Sequence, residues 1–287
     1  MSTATRAPRL DWSEIVDQAA AIVASYATGV TLRQLFYRLV AAEVLPNTTS
    51  AYKTLSARTA EARREDGFPA LIDKTRSIQQ LACSDDPLTA LQTLAGRYRL
   101  DRTEGQDHAV YLGVEKKGLV EQLWSWFGDL GIPILALGGY SSQTFCDEVA
   151  ADVGREDRPA VLIYAGDFDP SGEDIDRDFE ERTEFAFAEV VRVALSAQQV
   201  EEYGLPPQPG KATDCRAGGF VARHGRLVQV ELDALPPDVL QGLYADAIAR
   251  LWDESEYEEV LAQESRERQQ LRGFIETWER DRGEGER

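Results

Sequence analysis

The feature that most constrains this chain is a set of short apolar runs between Ala109 and Ile175, two of which stop at acids. Val110-Tyr111-Leu112-Gly113-Val114 stops at Glu115, and Val161-Leu162-Ile163-Tyr164-Ala165-Gly166 stops at Asp167-Phe168-Asp169. A third run lies between them and stops at Gly138-Gly139. Short apolar runs alternating with helical stretches read as buried parallel strands, and open α/β sheets bind ligands at the carboxyl ends of such strands. The pattern predicts strands at 109–114, 132–137 and 160–165. It predicts helices at about 117–129, at 142–153 and at 173–194, a doubly wound arrangement. Glu115, Asp167 and Asp169 are therefore expected at one sheet edge.

In extended backbone, residues i and i+2 face the same side, so Asp167 and Asp169 are expected to share one space. Gathered carboxylates repel one another unless a proton or a cation intervenes. Mg²⁺ takes a few hard oxygen ligands and keeps waters free for a phosphate. A Mg²⁺ site, open to Mn²⁺ as well, is the expectation. The competing reading makes the two aspartates the polar end of a strand, with Pro170-Ser171-Gly172 as its turn.

Glu115, Asp167-x-Asp169-Pro170-x-Gly172 and the intervening Gly138-Gly139-Tyr140-Ser141 resemble the toprim domain. The most similar variant is that of the topoisomerase VI A subunit and its relative, the meiotic double-strand-break protein. The resemblance covers about Ala109 to Arg250 and implies a Mg²⁺-dependent nucleic-acid enzyme with a Rossmann-like, mostly parallel sheet. It implies Glu115 as general acid/base or metal ligand and the two aspartates as metal ligands. The run Val230-Glu231-Leu232-Asp233-Ala234-Leu235 is similar to a late acidic motif of the same family, which implies Asp233 or Glu231 as a further ligand.

The net charge of -19 argues against nonspecific affinity for DNA, because counterion release needs local cations. The acidity is unevenly placed. Residues 1–110 hold 13 Lys/Arg and 13 Asp/Glu, so the whole deficit lies in residues 111–287, where 18 basic residues face 37 acidic ones. Cys83, Cys146 and Cys215 are odd in number and far apart, which fits reduced thiols. With only His108 and His224, a His-based zinc site is not expected. No run approaches a membrane span, and Met1 to Arg9 has no apolar core, so a cytoplasmic protein is expected.

In the N-terminal half, Asp11 to Tyr26 has helical apolar spacing, and Thr31-Leu32-Arg33-Gln34 has the form of a capping box. The helix that follows carries a stripe of Leu32, Leu35, Phe36, Leu39 and Val40. At about 100° per residue, Tyr37 lies roughly 130° from the centre of that stripe, on the flank of Arg33 and away from the expected core. A second helix from Ser50 to about Arg64 carries Lys53 and Arg58, and Lys74 and Arg76 follow. These cations read as a solvated surface or as a phosphate grip. Leu32-Arg33-Gln34-Leu35-Phe36-Tyr37 also resembles the Arg-x-Leu-Tyr-Tyr-type segment of the topoisomerase VI A winged-helix domain, with Phe at position 36. By that resemblance Tyr37 is the nucleophile and Arg33 its phosphate-stabilising neighbour.

Three divisions are expected: a helical winged-helix-like DNA-binding domain at 1–105, a toprim-like catalytic domain at 106–251, and an acidic helical tail at 252–287. Lys116 and Lys117, beside Glu115, are expected to meet a phosphate or to face solvent. The Pro/Gly-rich segment Gly204 to Arg226 carries Lys211, Arg216, Arg223 and Arg226 against Asp214 alone, and reads as a linker or a DNA-contacting loop. Leu227 to Leu232 alternates as a strand, and Pro236 to Leu251 reads as a helix. The expected function is Mg²⁺-dependent DNA cleavage with Tyr37 forming a phosphotyrosyl link. By resemblance this implies a homodimer and leaves room for a separate ATPase subunit. A hydrolytic nuclease without tyrosine chemistry and a noncatalytic DNA-binding or regulatory protein are the alternatives.

Overall fold

The computed structural model describes residues 10–26, 29–65, 67–72, 81, 83–139, 141–210 and 213–285, with side chains described as far as residue 281. The N-terminal part forms α1 (Trp12–Ser25), α2 (Leu32–Ala41) and α3 (Thr49–Arg64), followed by α4 (Pro87–Arg97). Each begins where the sequence offers an oxygen to the free N–H groups of the first turn. Asp11, Thr31, Thr48 and Asp86 accept from those groups, and Thr31 and Gln34 complete a reciprocal capping box.

The central part alternates strand and helix: β1 (Ala109–Val114), α5 (Val120–Phe127), β2 (Ile134–Ala136), α6 (Gln143–Val153), β3 (Ala160–Ala165), α7 (Gly172–Arg182) and β4 (Glu189–Ala194). The four strands are parallel, in the order β2-β1-β3-β4. The chain leaves β1 toward one edge and returns to β3 to build toward the other. The order therefore reverses between β1 and β3, and a crevice opens there at the strand ends. Both strands are buried along their whole length. Their residues alternate between two cores: Val110, Leu112, Val114, Ile163 and Ala165 face one, while Tyr111, Leu162 and Tyr164 face the other. The first core runs without a break from the sheet into α1, α2, α3, α5 and α10, and the second is closed by α6 and α7.

Three expectations need correction. The helix expected at 173–194 ends at Arg182, and residues 189–194 are the edge strand β4. The turn between them contains no glycine or proline. Glu184 and Phe185 take positive φ of 54° and 56°, so the usual punctuation is missing. The strand expected at 132–137 is limited to Ile134–Ala136. The strand expected at 227–232 contracts to β6 (Val228–Gln229), which pairs antiparallel with β5 (Gln208–Pro209), while Val230 pairs separately with Phe168.

Beyond β4 come α8 (Ala197–Glu202), then α9 (Ala217–His224) between β5 and β6, then α10 (Pro237–Ile248) and the long α11 (Glu254–Gly285). α11 packs on α4, and its anchor is polar. Glu264 is 1% exposed and accepts from the Leu100 N–H at 3.1 Å and from Arg102 at 2.8 and 3.2 Å. Among the described residues no helix is long and apolar enough to cross a membrane.

Candidate active site

The carboxyl ends of β1 and β3 hold the acids that the sequence places there. The extended pairing outlasts both strands: the Glu115 N–H donates to the Ala165 carbonyl at 2.9 Å, and Phe168 exchanges two hydrogen bonds with Val230, both at 2.9 Å. Glu115 reaches across and accepts the Asp167 N–H on Oε2 at 2.7 Å. Asp167 is 3% exposed and accepts from Lys116 Nζ on Oδ2 at 2.5 Å and from the Leu232 N–H on Oδ1 at 2.8 Å. Asp169 turns one oxygen, Oδ1, to the Ser171 N–H, the Ser171 hydroxyl and the Gly172 N–H at 3.0, 2.9 and 2.7 Å, and so closes the entry to α7. Only glycine fits at 172, because a Cβ there would stand 2.3 Å from the Asp167 carbonyl oxygen.

Arg192 on β4 ties this turn together, donating to the Asp167 carbonyl at 2.8 Å and to the Gly172 carbonyl at 3.0 Å. Sequence reasoning missed Arg192, although an arginine inside the run Val190-Val191-Arg192-Val193 was a signal that a buried polar partner awaited it. The segment after β6 adds two more acids, and α2 meets them with cations. Arg33 forms an ion pair with Glu231 and lies 3.8 Å from Asp233, while Arg38 donates to the Ala234 carbonyl. Glu231 is 8% and Asp233 4% exposed.

Too many carboxylates for the local cations raise the cost of ionisation. Burial, then the Asp167 charge, holds the Glu115 carboxyl well above the ordinary range, and burial also raises Asp167 against the pull of Lys116. Burial pushes Asp233 up to about 6 although Arg33 and Lys116 oppose it. Lys116, expected to meet a phosphate or solvent, is instead the counter-ion of this cluster, 2.5 Å from Asp167 and 3.9 Å from Glu115.

The donor set fits a hard divalent cation in chemistry. Glu115 Oε1, Asp169 Oδ2 and both oxygens of Asp233 make no hydrogen bond among the described residues, and all are carboxylate oxygens of the kind Mg²⁺ takes. The same side chains do not form a ready-made cage: among the described residues no three potential ligands converge on one point. The ammonium of Lys116 stands among them.

Two clefts flank the acids and share Arg33. One, of about 410 Å³, is lined by Glu115, Lys116, Lys117, Gly138, Gly139 and Asp233. The other, of about 550 Å³, is lined by Tyr37, Asn47, Tyr52, Lys53, Gln208 and Glu231. The expectation that Tyr37 lies away from the core is corrected: it is 3% exposed. The β5–β6 pair folds back over α2, and Gln208 Nε2 donates to the Tyr37 hydroxyl at 3.1 Å. Burial first and Glu231 second push that hydroxyl up to about 12, against the opposing pull of Arg33.

Of the other expected contacts, Lys53 is exposed at the rim of the Tyr37 cleft, and exposed Arg58 pairs with Glu61 at 3.0 Å. Arg216 pairs with Asp174 at 2.8 Å and Asp214 at 3.2 Å in a separate cleft below α7. Lys74, Arg76, Tyr140 and Lys211 lie outside the described residues. Asn47, Tyr52 and Gln208 carried no local signal, since only the tertiary approach of β5 to α2 and α3 makes them neighbours.

No family model matches the chain, and no curated protein is significantly similar to it in sequence. Fold and site define an α/β protein with a four-stranded parallel sheet and a buried acidic cluster at its switch point.

Proposed function

We propose that the protein cleaves phosphodiester bonds in DNA in a Mg²⁺-dependent reaction, with a toprim-like sheet carrying the acids and a winged-helix-like N-terminal part presenting Tyr37. The observation that carries this reading is the gathering of Glu115, Asp167 and Asp233, from three separate segments, around Lys116 and beside two clefts that share Arg33. Bound Mg²⁺ would neutralise charge on the phosphate and polarise its oxygens. Glu115, held easy to protonate by burial, is suited to move a proton to or from the reacting oxygen. Arg33 and Lys116 supply positive charge beside the phosphate, and Lys117 with Gly138 and Gly139 lines its approach.

Two nucleophiles fit the reading. In the topoisomerase VI A-like version, Tyr37 attacks and forms a phosphotyrosyl link. A double-strand break then needs two copies of the chain, and a homodimer, with or without a separate ATPase subunit, belongs to that version. The burial of Tyr37 and its raised hydroxyl pKa favour the second version, in which water attacks and the enzyme is a hydrolytic nuclease.

The test is incubation with supercoiled plasmid and Mg²⁺ or Mn²⁺, stopped with detergent and run with and without protease, beside Tyr37→Phe and Asp167→Ala. Ends released only after protease, and only with Tyr37 present, establish covalent cleavage. Ends that survive Tyr37→Phe and vanish with Asp167→Ala establish hydrolysis. Absence of cleavage together with absence of Mg²⁺ uptake by calorimetry refutes both versions and leaves a binding protein.

A further inference from the structure

The Tyr37 cleft contains more unsatisfied chemistry than a nucleophile needs. Glu231 lines it, and its Oε2 is buried without a hydrogen-bond partner among the described residues, while Oε1 is held by Arg33. A buried bare carboxylate oxygen is costly unless a donor reaches it, so the missing partner is an N–H or O–H group. Gln208 Nε2 donates both to Tyr37 at 3.1 Å and to Asn47 Oδ1 at 3.3 Å. The Asn47 amide N–H₂ and Gln208 Oε1 are thereby left as an open donor and an open acceptor at the cleft, with no hydrogen bond among the described residues. An aromatic trio forms the wall. Phe36 meets Tyr37 at 5.5 Å and Tyr52 at 5.3 Å, both edge to face, which fixes the ring positions.

We propose that this cleft is a subsite for one unpaired nucleotide whose base carries an amino group, the amino N–H donating to Glu231 Oε2 and the sugar-phosphate running past Lys53 and Arg33. The assignment of a nucleic-acid ligand rests on the DNA-cleaving reading above, and the choice of an unpaired, amino-bearing base rests on the cleft. A free phosphate does not satisfy the site, because its oxygens would face the bare carboxylate. A base edge does: a carboxylate accepts from the exocyclic amine of cytosine or adenine, whereas thymine offers carbonyl oxygens on either side of its single N–H. Only one carboxylate oxygen lacks a partner among the described residues, which matches one amino group. The base must be unpaired, since a duplex offers only its second amino hydrogen from within the major groove, and Glu231 at 8% exposure is too recessed to reach in there. About 550 Å³ accommodates a nucleotide and excludes a duplex. Tyr52 supplies apolar surface for the base, with Phe36 and buried Tyr37 fixing its ring from behind, as aromatic side chains do wherever single strands are held without a fixed sequence.

The experiment is fluorescence anisotropy of short single-stranded oligonucleotides with the full chain in EDTA, so that no cleavage interferes. Homopolymers of dC, dA and dT and a duplex of equal length are compared. The expected result is that dC and dA bind roughly tenfold more tightly than dT, the discrimination that one base hydrogen bond supplies. The duplex is expected to bind more weakly than any single strand. Glu231→Gln should bring dC and dA down to the level of dT. Tyr52→Ala should weaken all three by roughly tenfold through lost stacking. Should Glu231→Gln fail to fold, Asn47→Ala on the partly exposed turn reads the same cleft and should weaken dC and dA severalfold. Equal affinity for dC, dA and dT, or duplex binding as tight as single-strand binding, overturns the proposal even if the plasmid is cleaved. A base preference that survives in a protein inert toward plasmid leaves the subsite standing and removes the cleavage reading alone.

Discussion

Gly172→Ala isolates the turn on which the acidic cluster depends. The added methyl carbon would stand 2.9 Å from the Asp167 carbonyl carbon, 3.1 Å from its Cβ and 2.3 Å from its carbonyl oxygen, the last about 1 Å short of ordinary contact at 3.4 Å. All three are atoms of, or next to, the backbone, so no side-chain rotation relieves the clash. Relief requires the first turn of α7 to move away from residues 167–169. That movement strains the Asp169–Gly172 hydrogen bond at 2.7 Å and the two Arg192 bonds that clamp Asp167 to Gly172. Overpacking costs about 1–3 kcal/mol, and weakening two of these bonds adds about 1 kcal/mol each, so a loss of about 3–5 kcal/mol is expected. Urea unfolding measures it. Gly118→Ala is the control, since its Cβ meets nothing within 4 Å. A Gly172→Ala protein within about 0.5 kcal/mol of the parent, a surface-substitution effect, would refute the close-approach argument.

Four further outcomes follow from the same geometry. Buried Asp233, raised from 3.8 to about 6, keeps its proton in the folded chain after the unfolded chain has lost it. Metal-free stability should therefore fall as pH rises from about 4 to about 6, by on the order of 3 kcal/mol from this group, and Asp233→Asn should flatten that part of a thermal-melt pH profile. A profile unchanged by Asp233→Asn sinks the assignment. Lys116→Met frees Asp167 Oδ2 and removes the competing ammonium, so calorimetry should show tighter Mg²⁺ uptake together with lower metal-free stability; unchanged or weaker uptake would show that Lys116 does not stand in the cation's place. Tyr37→Phe removes one partly buried hydrogen bond to Gln208 and should cost about 1 kcal/mol in urea unfolding. Glu264→Ala leaves Arg102 and Arg268 without their shared carboxylate and should undock α11, seen as early proteolysis near Leu261 at a cost of about 3 kcal/mol; protease resistance equal to the parent's would count against the anchor.

What the sequence revealed followed the range of each interaction. β1 and β3 occupy the expected residues, because a run of apolar side chains buried on both faces is a local signal. The capping box at Thr31 and Gln34 was legible for the same reason. Glu115, Asp167 and Asp169 could be placed together because strand order alone determines which ends meet. β4 was hidden: the turn before it uses Glu184 and Phe185 at positive φ, and its strand pattern follows a helical one without a break. Tyr37 was misplaced because a helical wheel shows where α2 meets its own neighbours and says nothing of a strand pair more than 150 residues further on that covers the other flank. The role of Lys116 was undecided for a similar reason. Its partner, Asp167, lies 51 positions away, and only the adjacency of β1 and β3 brings the two together.

The uninterrupted core that joins α2 to the sheet has a mechanical consequence. α2 carries Arg33 and Tyr37 on one flank while the opposite flank, with Leu35 and Leu39 fully buried, is seated in that core. A helix so seated moves as a stiff rod. Any displacement of α2 would tilt both clefts together, and neither could widen without changing the other. A ligand too thick for the gap would have to be admitted by motion of the covering β5–β6 pair, because α2 presents one rigid flank to both clefts.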